Sequence, residues 1–338
     1  MKFLRFLLIL IMILPLLMCA EAQEDITPFL GNWALYLPGG AGWLEVHQED
    51  GYIDASLLWY GGSVEPVDHV FLFGDVLFVT RIREVVRKKN DKGEPERTHR
   101  IVDWFQFTRT GNNELEGQAN FPNDNGIGVN VTEFKAKRIP ELPEKPDLTK
   151  IKYGKSVKLF NGKDLSGWKL VNADDVNGFH AENGALINNP VQKEGEAHIS
   201  YGNLRTVDTF EDFKLSIEVN VPKGSNSGIY LRGIYEVQVL DSYDLPLDSH
   251  HMGAIYSRIT PLVKAEKPAG EWQSLEIILF HRYVTVVLNG EKIIDNQPIL
   301  GVTGGALTAD EFSPGPIYLQ GDHGKVMYRN IVLTPILE

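Results

Sequence analysis

Residues 213–221 read Phe213-Lys-Leu-Ser-Ile-Glu-Val-Asn-Val221, with an apolar residue at every second position and Lys, Ser, Glu and Asn between. Successive side chains of a strand point to opposite faces, so the stretch presents one apolar face and one polar face. That pattern specifies an antiparallel strand half buried against a second layer. Working outward, residues 228–231, 235–240, 253–256, 272–280, 283–288, 317–320 and 326–333 read as further strands. Asn289-Gly290 is a hairpin turn between 284–288 and 292–294. No long helical period interrupts them, and residues 155–338 therefore read as a two-sheet antiparallel sandwich.

Upstream, residues 33–37, 43–47, 55–59, 70–73, 77–86, 101–107, 115–119 and 129–136 form a second series of short strand signals. Their spacing predicts a small antiparallel barrel or sandwich over 25–139. The charged stretch 87–99, with Asn90-Asp91-Lys92-Gly93, reads as the tip of a long hairpin. Gly31-Asn32-Trp33 is similar to the Gly-x-Trp opening of lipocalin-like barrels. Trp43, Trp59 and Trp104 have the shape to stack on sugar rings, but core packing is the stronger reading. Pro140, Pro143 and Pro146 stand three residues apart in 140–154, the mark of a stiff, extended linker between the two domains.

The 338 residues are 43% hydrophobic and 23% charged, which excludes a disordered or collagen-like chain. Residues 1–22 have the form of an export signal: Lys2 and Arg5 at the start, an apolar run, then Ala20-Glu21-Ala22. Export to the periplasm or beyond is the expectation, with acylation of Cys19 and a place at the cell envelope as its rival. Met18 argues against acylation because a small residue is expected there. Cys19 is the single cysteine, so a chain cut after Ala22 has no disulfide and rests on packing. No later stretch is long and apolar enough for a transmembrane segment. The formal charge of −12 disfavours nucleic acid, whose binding needs phosphate neutralisation, and a neutral ligand such as a sugar fits it.

The densest polar cluster is Ser225-Asn-Ser-Gly-Ile-Tyr-Leu-Arg-Gly-Ile-Tyr-Glu-Val-Gln-Val-Leu-Asp241. Alternation puts Glu236 and Gln238 on one face and Tyr235, Val237 and Val239 on the other. If the apolar row faces the core, Glu236 and Gln238 lie on an exposed, concave face, and Asp241 joins them only through a β-bulge. Glu-x-Gln-x-x-Asp resembles the Glu-x-Asp-x-x-Glu strand of laminarinase-type glucanases, with Gln238 in place of the central acid. His323, between Asp322 and Gly324, falls at a turn where a histidine can act as base, acid or metal ligand. His250 and His251, after Asp244 and Asp248, match no tight metal-ligand spacing.

Lys158-Leu-Phe-Asn-Gly-Lys-Asp-Leu-Ser-Gly-Trp168 resembles the opening of the 3-keto-disaccharide hydrolase domain family. Further matches follow in order: Asn226-Ser-Gly-Ile-Tyr-Leu-Arg-Gly233, Tyr235-Glu-Val-Gln-Val-Leu-Asp-Ser242, Pro268-Ala-Gly-Glu-Trp272, Leu288-Asn-Gly290, and the ending from Leu319-Gln-Gly-Asp-His-Gly324 to Arg329-Asn-Ile331. Gln273 stands where the family usually has Asn, and Gly321 is inserted between Gln320 and Asp322. The resemblance implies a concanavalin-like jelly roll and an exported hydrolase or lyase acting on glycosides already oxidised at C3. It also associates divalent-metal dependence (Ca, Mn or similar) with some members. A C3 ketone acidifies the C2 hydrogen, so proton abstraction and loss of the C1 aglycone, then water addition, give net hydrolysis without two glycosidase carboxylates. On this reading Glu236 is the base or a ligand, and Asp241 and His323 are a second acid/base or ligand pair. Asn226, Arg232, Gln238 and Gln320 bind the sugar or the enolate. Two other classes compete: a lectin-like carbohydrate-binding protein, and a conventional β-glucan hydrolase with paired carboxylates about 5 Å apart.

Overall fold

The computed structural model describes residues 25–193 and 195–337. The export signal and Cys19 lie outside them. Among the described residues the only helix is a short turn, Thr27–Phe29, and none is long and apolar enough to cross a membrane.

Nine strands make the N-terminal sheet: β1 (Gly31–Leu37), β2 (Gly40–Glu49), β3 (Tyr52–Trp59), β4 (Glu65–Pro66), β5 (His69–Phe73), β6 (Val76–Lys89), β7 (Pro95–Arg109), β8 (Glu114–Pro122) and β9 (Val129–Arg138). The order β4-β3-β2-β1-β9-β8-β7-β6-β5 is an antiparallel meander closed through the β1–β9 pair. β3 also lies against β5, so the sheet curls around a core of its own. Trp33, Leu35, Leu44, Leu57, Leu77, Phe105, Phe107 and Phe134 fill that core. The Gly-x-Trp signal has a physical counterpart: Arg138 stacks on Trp33 at 4.2 Å and donates to the carbonyls of Leu30 and Pro28, while the indole N–H bonds Phe29. Trp59 packs edge-on against Phe105 and Phe134 and Trp43 is buried, so both serve packing. The 87–99 stretch is the end of the β6–β7 hairpin, with its tip at Asn90–Glu94 held by Asn90 Oδ1.

The C-terminal strands are β10 (Lys152–Tyr153), β11 (Val157–Lys158), β12 (Trp168–Leu170), β13 (Phe179–Glu182), β14 (Ala185–Asn188), β15 (Leu204–Thr206), β16 (Phe213–Asn220), β17 (Asn226–Leu231), β18 (Tyr235–Leu240), β19 (Trp272–Phe280), β20 (Tyr283–Leu288), β21 (Glu291–Pro298), β22 (Tyr318–Leu319) and β23 (Val326–Leu337). One sheet has the order β13-β14-β23-β16-β19-β20-β21, with β10 and β11 added to β23; the other runs β12-β15-β22-β17-β18. Every ladder is antiparallel, and the two sheets bury Phe213, Leu215, Ile217, Ile229, Val237, Ile277 and Leu319 between them. This is the two-sheet antiparallel sandwich that the strand pattern of 155–338 specifies, and the all-β jelly roll that the family resemblance implies.

One expected strand differs from the structure. Residues 253–256 are not a regular strand; they lie along the outer edge of β18 through the single bridge Val237–Ile255 and three backbone hydrogen bonds. The proline segment read as a stiff, extended linker is docked on the sandwich edge. The carbonyls of Pro140, Pro143 and Pro146 accept from Arg282, Tyr283 and Asn296. In a left-handed extended helix of three residues per turn these carbonyls fall on one side, which lets one sandwich edge bind all three.

Candidate active site

The β17–β18 hairpin sets the site. Its ladder pairs Tyr230 with Glu236, Gly228 with Gln238 and Asn226 with Leu240, and β22 adds Tyr318 beside Tyr230. Gln320 follows, its N–H on the Gly228 carbonyl at 3.0 Å. Period two then places Asn226, Gly228, Tyr230, Glu236, Gln238, Tyr318 and Gln320 on one face. Ile229, Leu231, Val237, Val239 and Leu319 take the other, in the inter-sheet core.

The polar face is roofed, a correction to the exposed face expected for it. Glu236 is 4% exposed and Gln238 3%. Two loops cover them. From 299–307, Thr303 Oγ1 accepts the Glu236 N–H at 2.9 Å, and the Gly304 carbonyl accepts from Tyr230 at 2.7 Å. From 250–256, the Tyr256 N–H donates to the Glu236 carbonyl at 3.0 Å, and the Gln238 amide donates to the His250 carbonyl at 3.1 Å.

Burial in this setting pushes the Glu236 carboxyl up to about 8, against the opposing pull of the Tyr230 phenol. Tyr230 Oη lies 2.9 Å from Glu236 Oε2 and 2.7 Å from the Gly304 carbonyl oxygen, but a phenol has one proton. An ionised Glu236 competes with Gly304 for it. A protonated Glu236 donates to Tyr230, which donates to Gly304, and every group is satisfied. Tyr318 stacks on Tyr230 at 3.9 Å and holds its ring in place. Gly228 is required beneath the carboxyl: a Cβ there would stand 2.2 Å from Glu236 Oε1. Asn226 Oδ1 and Gln320 Oε1, on the same face, are buried with no hydrogen-bond partner in the protein. Ser227 on the reverse face anchors the Gln320 carbonyl at 2.8 Å and pairs with Tyr328.

The other expected site residues are placed elsewhere. The β17–β18 register runs unshifted to Leu240, with no bulge, and Asp241 turns its carboxylate onto the Gly224 N–H at 2.8 Å. The 321–325 turn that carries His323 lies beside Ser225 and Asn226, and the His323 side chain is exposed. Asn226 is four residues from Tyr230, so the His323 turn sits about 13 Å along the strand from Glu236, and Asp241, five residues on, about 16 Å. The inserted Gly321 has a steric reason, since a Cβ would meet the Gly202 carbonyl at 2.1 Å. Arg232 occupies the hairpin turn with φ +54° and donates to the Glu311 carbonyl beside Tyr235, on the core side. There Glu311, 1% exposed, accepts from Tyr235 at 2.6 Å and pairs with Arg282 at 3.5 Å. Arg232 thus points to the Glu311 side of the hairpin and not onto the Glu236 face.

The paired carboxylates of a glucanase are not assembled on this strand. Nor is a metal ligand set: Glu236 is surrounded by tyrosines and backbone, and among the described residues no three His, Cys, Asp or Glu converge to hold a cation. Sequence reasoning passed over Tyr230, Tyr318, Thr303 and Gly304. Hairpin pairing across Arg232-Gly233-Ile234 was the signal that puts Tyr230 opposite Glu236, whereas nothing local marks Thr303.

The family described as the 3-keto-alpha-glucoside-1,2-lyase-like domain matches residues 155–334, which hold all of these groups. The chain belongs to this family. It is similar to a 3-keto-disaccharide hydrolase of Bacteroides thetaiotaomicron, 29% identical over 167 residues, 41% of this chain and 57% of the relative. The chain thus spans a little over half of that relative. A candidate glycosyl hydrolase of Parabacteroides distasonis, solved as a crystal structure, is 31% identical over 58% of this chain and 93% of its own, with a TM-score of 0.43. An endo-beta-1,3(4)-glucanase of family GH16 is 10% identical over 58% of this chain and 92% of its own, with a TM-score of 0.35. The 3-keto-alpha-glucoside-1,2-lyase-like match begins after the linker, and the N-terminal sheet lies wholly outside it.

Proposed function

We propose that this chain is an exported glycoside-cleaving enzyme that acts on 3-keto-glycosides through Glu236 alone. The single observation that carries the reading is a carboxyl on β18 that is 4% exposed, roofed by two loops and bonded to the Tyr230 phenol, with its burial raising its pKa. Such a group suits elimination better than glycosidic displacement, which needs two carboxylates. Because Glu236 is enclosed, the loops at 299–307 and 250–256 part to admit the 3-keto sugar, and the ionised carboxylate then takes its C2 proton. The C2–H electrons form the C1=C2 bond as the C1–O bond breaks, and the proton passes to the departing aglycone oxygen. Water then adds at C1 of the enone to complete net hydrolysis. A base whose pKa is near 8 accepts a proton from carbon more strongly than an ordinary carboxylate and still gives it up at neutral pH. Gln320, two residues along the same face, offers an unpaired acceptor to a sugar hydroxyl, and Asn226, farther along, one to the aglycone end.

The test is aglycone release from a 3-keto-glucoside and from its unoxidised parent, each with and without EDTA. Release from the keto form alone, lost in Glu236→Gln, is expected. Equal release from both substrates, or full activity in Glu236→Gln, would overturn the reading. Sensitivity to EDTA would assign a divalent metal to the reaction.

A further inference from the structure

The two loops that roof Glu236 are themselves held by the N-terminal sheet. The Tyr60 carbonyl accepts the Gly305 N–H at 3.0 Å, next to the Gly304 carbonyl that receives the Tyr230 phenol. Gly304 lies so close to Gly62 that a Cβ on it would stand 2.2 Å from the Gly62 carbonyl oxygen. Trp43 packs on Gly301 and is covered by Arg258 at 4.4 Å, whose guanidinium donates to the carbonyls of Leu300 and Val302. On the second loop, Asp248 Oδ1 is 2.6 Å from His250 Nδ1 and Ser63 Oγ is 2.8 Å from His250 Nε2. Asp248 and Ser63 thus hold the two ring nitrogens of His250. Val64 N–H adds a bond to Ser257 Oγ at 2.8 Å. The His250 carbonyl is the one that receives Gln238.

Two independent threads therefore run from one turn of the N-terminal sheet to the two neighbouring polar groups of β18. Tyr60 holds φ +59° at the start of that turn, a left-handed conformation that a bulky residue keeps only when its surroundings fix it. We propose that the 60–64 turn is a positioning element of the Glu236 site, clamping loops 299–307 and 248–257 onto β18 and so setting the aim of Glu236, Tyr230 and Gln238. This rests on reading Glu236 as the proton-transfer group. The clamp also keeps water out, and excluding water is what raises the carboxyl. The titratable groups facing Glu236 are the phenols of Tyr230 on β17 and Tyr318 on β22, both neutral through the range in question.

The experiment uses the full chain with Gly304→Ala, which forces the 304 loop away from Gly62, and Lys92→Ala at the β6–β7 tip as the control. Two quantities are read: kcat and KM on a 3-keto-glucoside, and the Glu236 titration midpoint from infrared difference spectra against Glu236→Gln, which needs no substrate. In Gly304→Ala, kcat falls at least about tenfold with little change in KM, and the midpoint drops by about one unit or more as water enters. Wild-type kcat and midpoint in a folded Gly304→Ala protein overturn the proposal. If wild type cleaves no 3-keto-glucoside while the midpoint still shifts in Gly304→Ala alone, the clamp stands and the assigned reaction fails. Should Gly304→Ala not fold, Ser63→Ala and Ser63→Thr decide: kcat falls in the first and is restored in the second, whereas equal rates reject the clamp.

Discussion

Glu236 takes its properties from enclosure rather than from a partner carboxylate, and this gives a pH signature with a definite sign. Its carboxyl titrates at about 8 in the fold, against 4.5 for a free glutamate. Proton abstraction needs the ionised form, so kcat/KM rises up to about tenfold per unit as pH approaches 8 and levels above it. A flat profile between about pH 6 and 9 would remove Glu236 from the base role. Stability runs the opposite way. Between the two pKa values the fold holds a proton that the unfolded chain has released, so the stabilisation is complete below about 4.5 and is lost as pH rises through about 8, at most about 1.4 kcal/mol per unit. Glu236→Gln carries no such proton; its Tm relative to wild type therefore rises as pH goes from about 5 to 9, and a constant difference would exclude burial as the cause. Gly228→Ala pushes a methyl into Glu236 Oε1, and we expect a fall in kcat of about tenfold or more, checked by steady-state kinetics beside a thermal melt. Alternation in the sequence was enough to pair Glu236 with Gln238 on one face. It could not show the roof, because the covering loops come from some fifteen to seventy positions away.

Among the elements, hairpin β19–β20 shows how regular strands end in costly turns. His281 and Arg282, its two turn residues, have φ +50° and +66°, values that usually select Asn-Gly. What fixes Arg282 there is Glu311, 1% exposed, on one side and the Pro140 carbonyl on the other. Burial pushes Glu311 up, and Arg282 is the first of the charges that oppose this. Arg282→Ala leaves a buried carboxyl without its main cation and should cost about 3–5 kcal/mol in urea unfolding; adding Glu311→Gln should recover part of that, whereas strictly additive losses would show the pair to be uncoupled. The strands themselves were legible, down to the long β6–β7 hairpin, because burial on one face writes itself into period two. The turn at 281–282 and the docking of the proline segment were not, since both depend on partners remote in sequence. The bulge expected at Asp241 failed for a related reason: sequence parity says which face a residue takes, not whether the ladder shifts.

At the scale of the whole molecule, the proline segment suggests two independent domains, yet the packing joins them. Ala34, Ala41, Trp43, Leu58 and Ile139 of the N-terminal half belong to the same buried cluster as the sandwich core, while the curled sheet keeps a second core inside. Trp43 is the centre of the joint, wedged onto Gly301 and capped by Arg258, whose burial depresses its guanidinium to about 10. Nothing local in the sequence distinguishes this tryptophan from the core tryptophans around it, because its partners lie more than two hundred residues away. A shared core makes unfolding of one half expose apolar surface of the other, which predicts a single calorimetric transition whose calorimetric and van't Hoff enthalpies agree. Trp43→Ala removes the wedge, costs about 3–5 kcal/mol, and should split the transition in two as the halves lose their coupling. Two transitions already present in wild type would mean that the interface contributes little, and a single lowered transition in Trp43→Ala would place the coupling in the docked prolines instead.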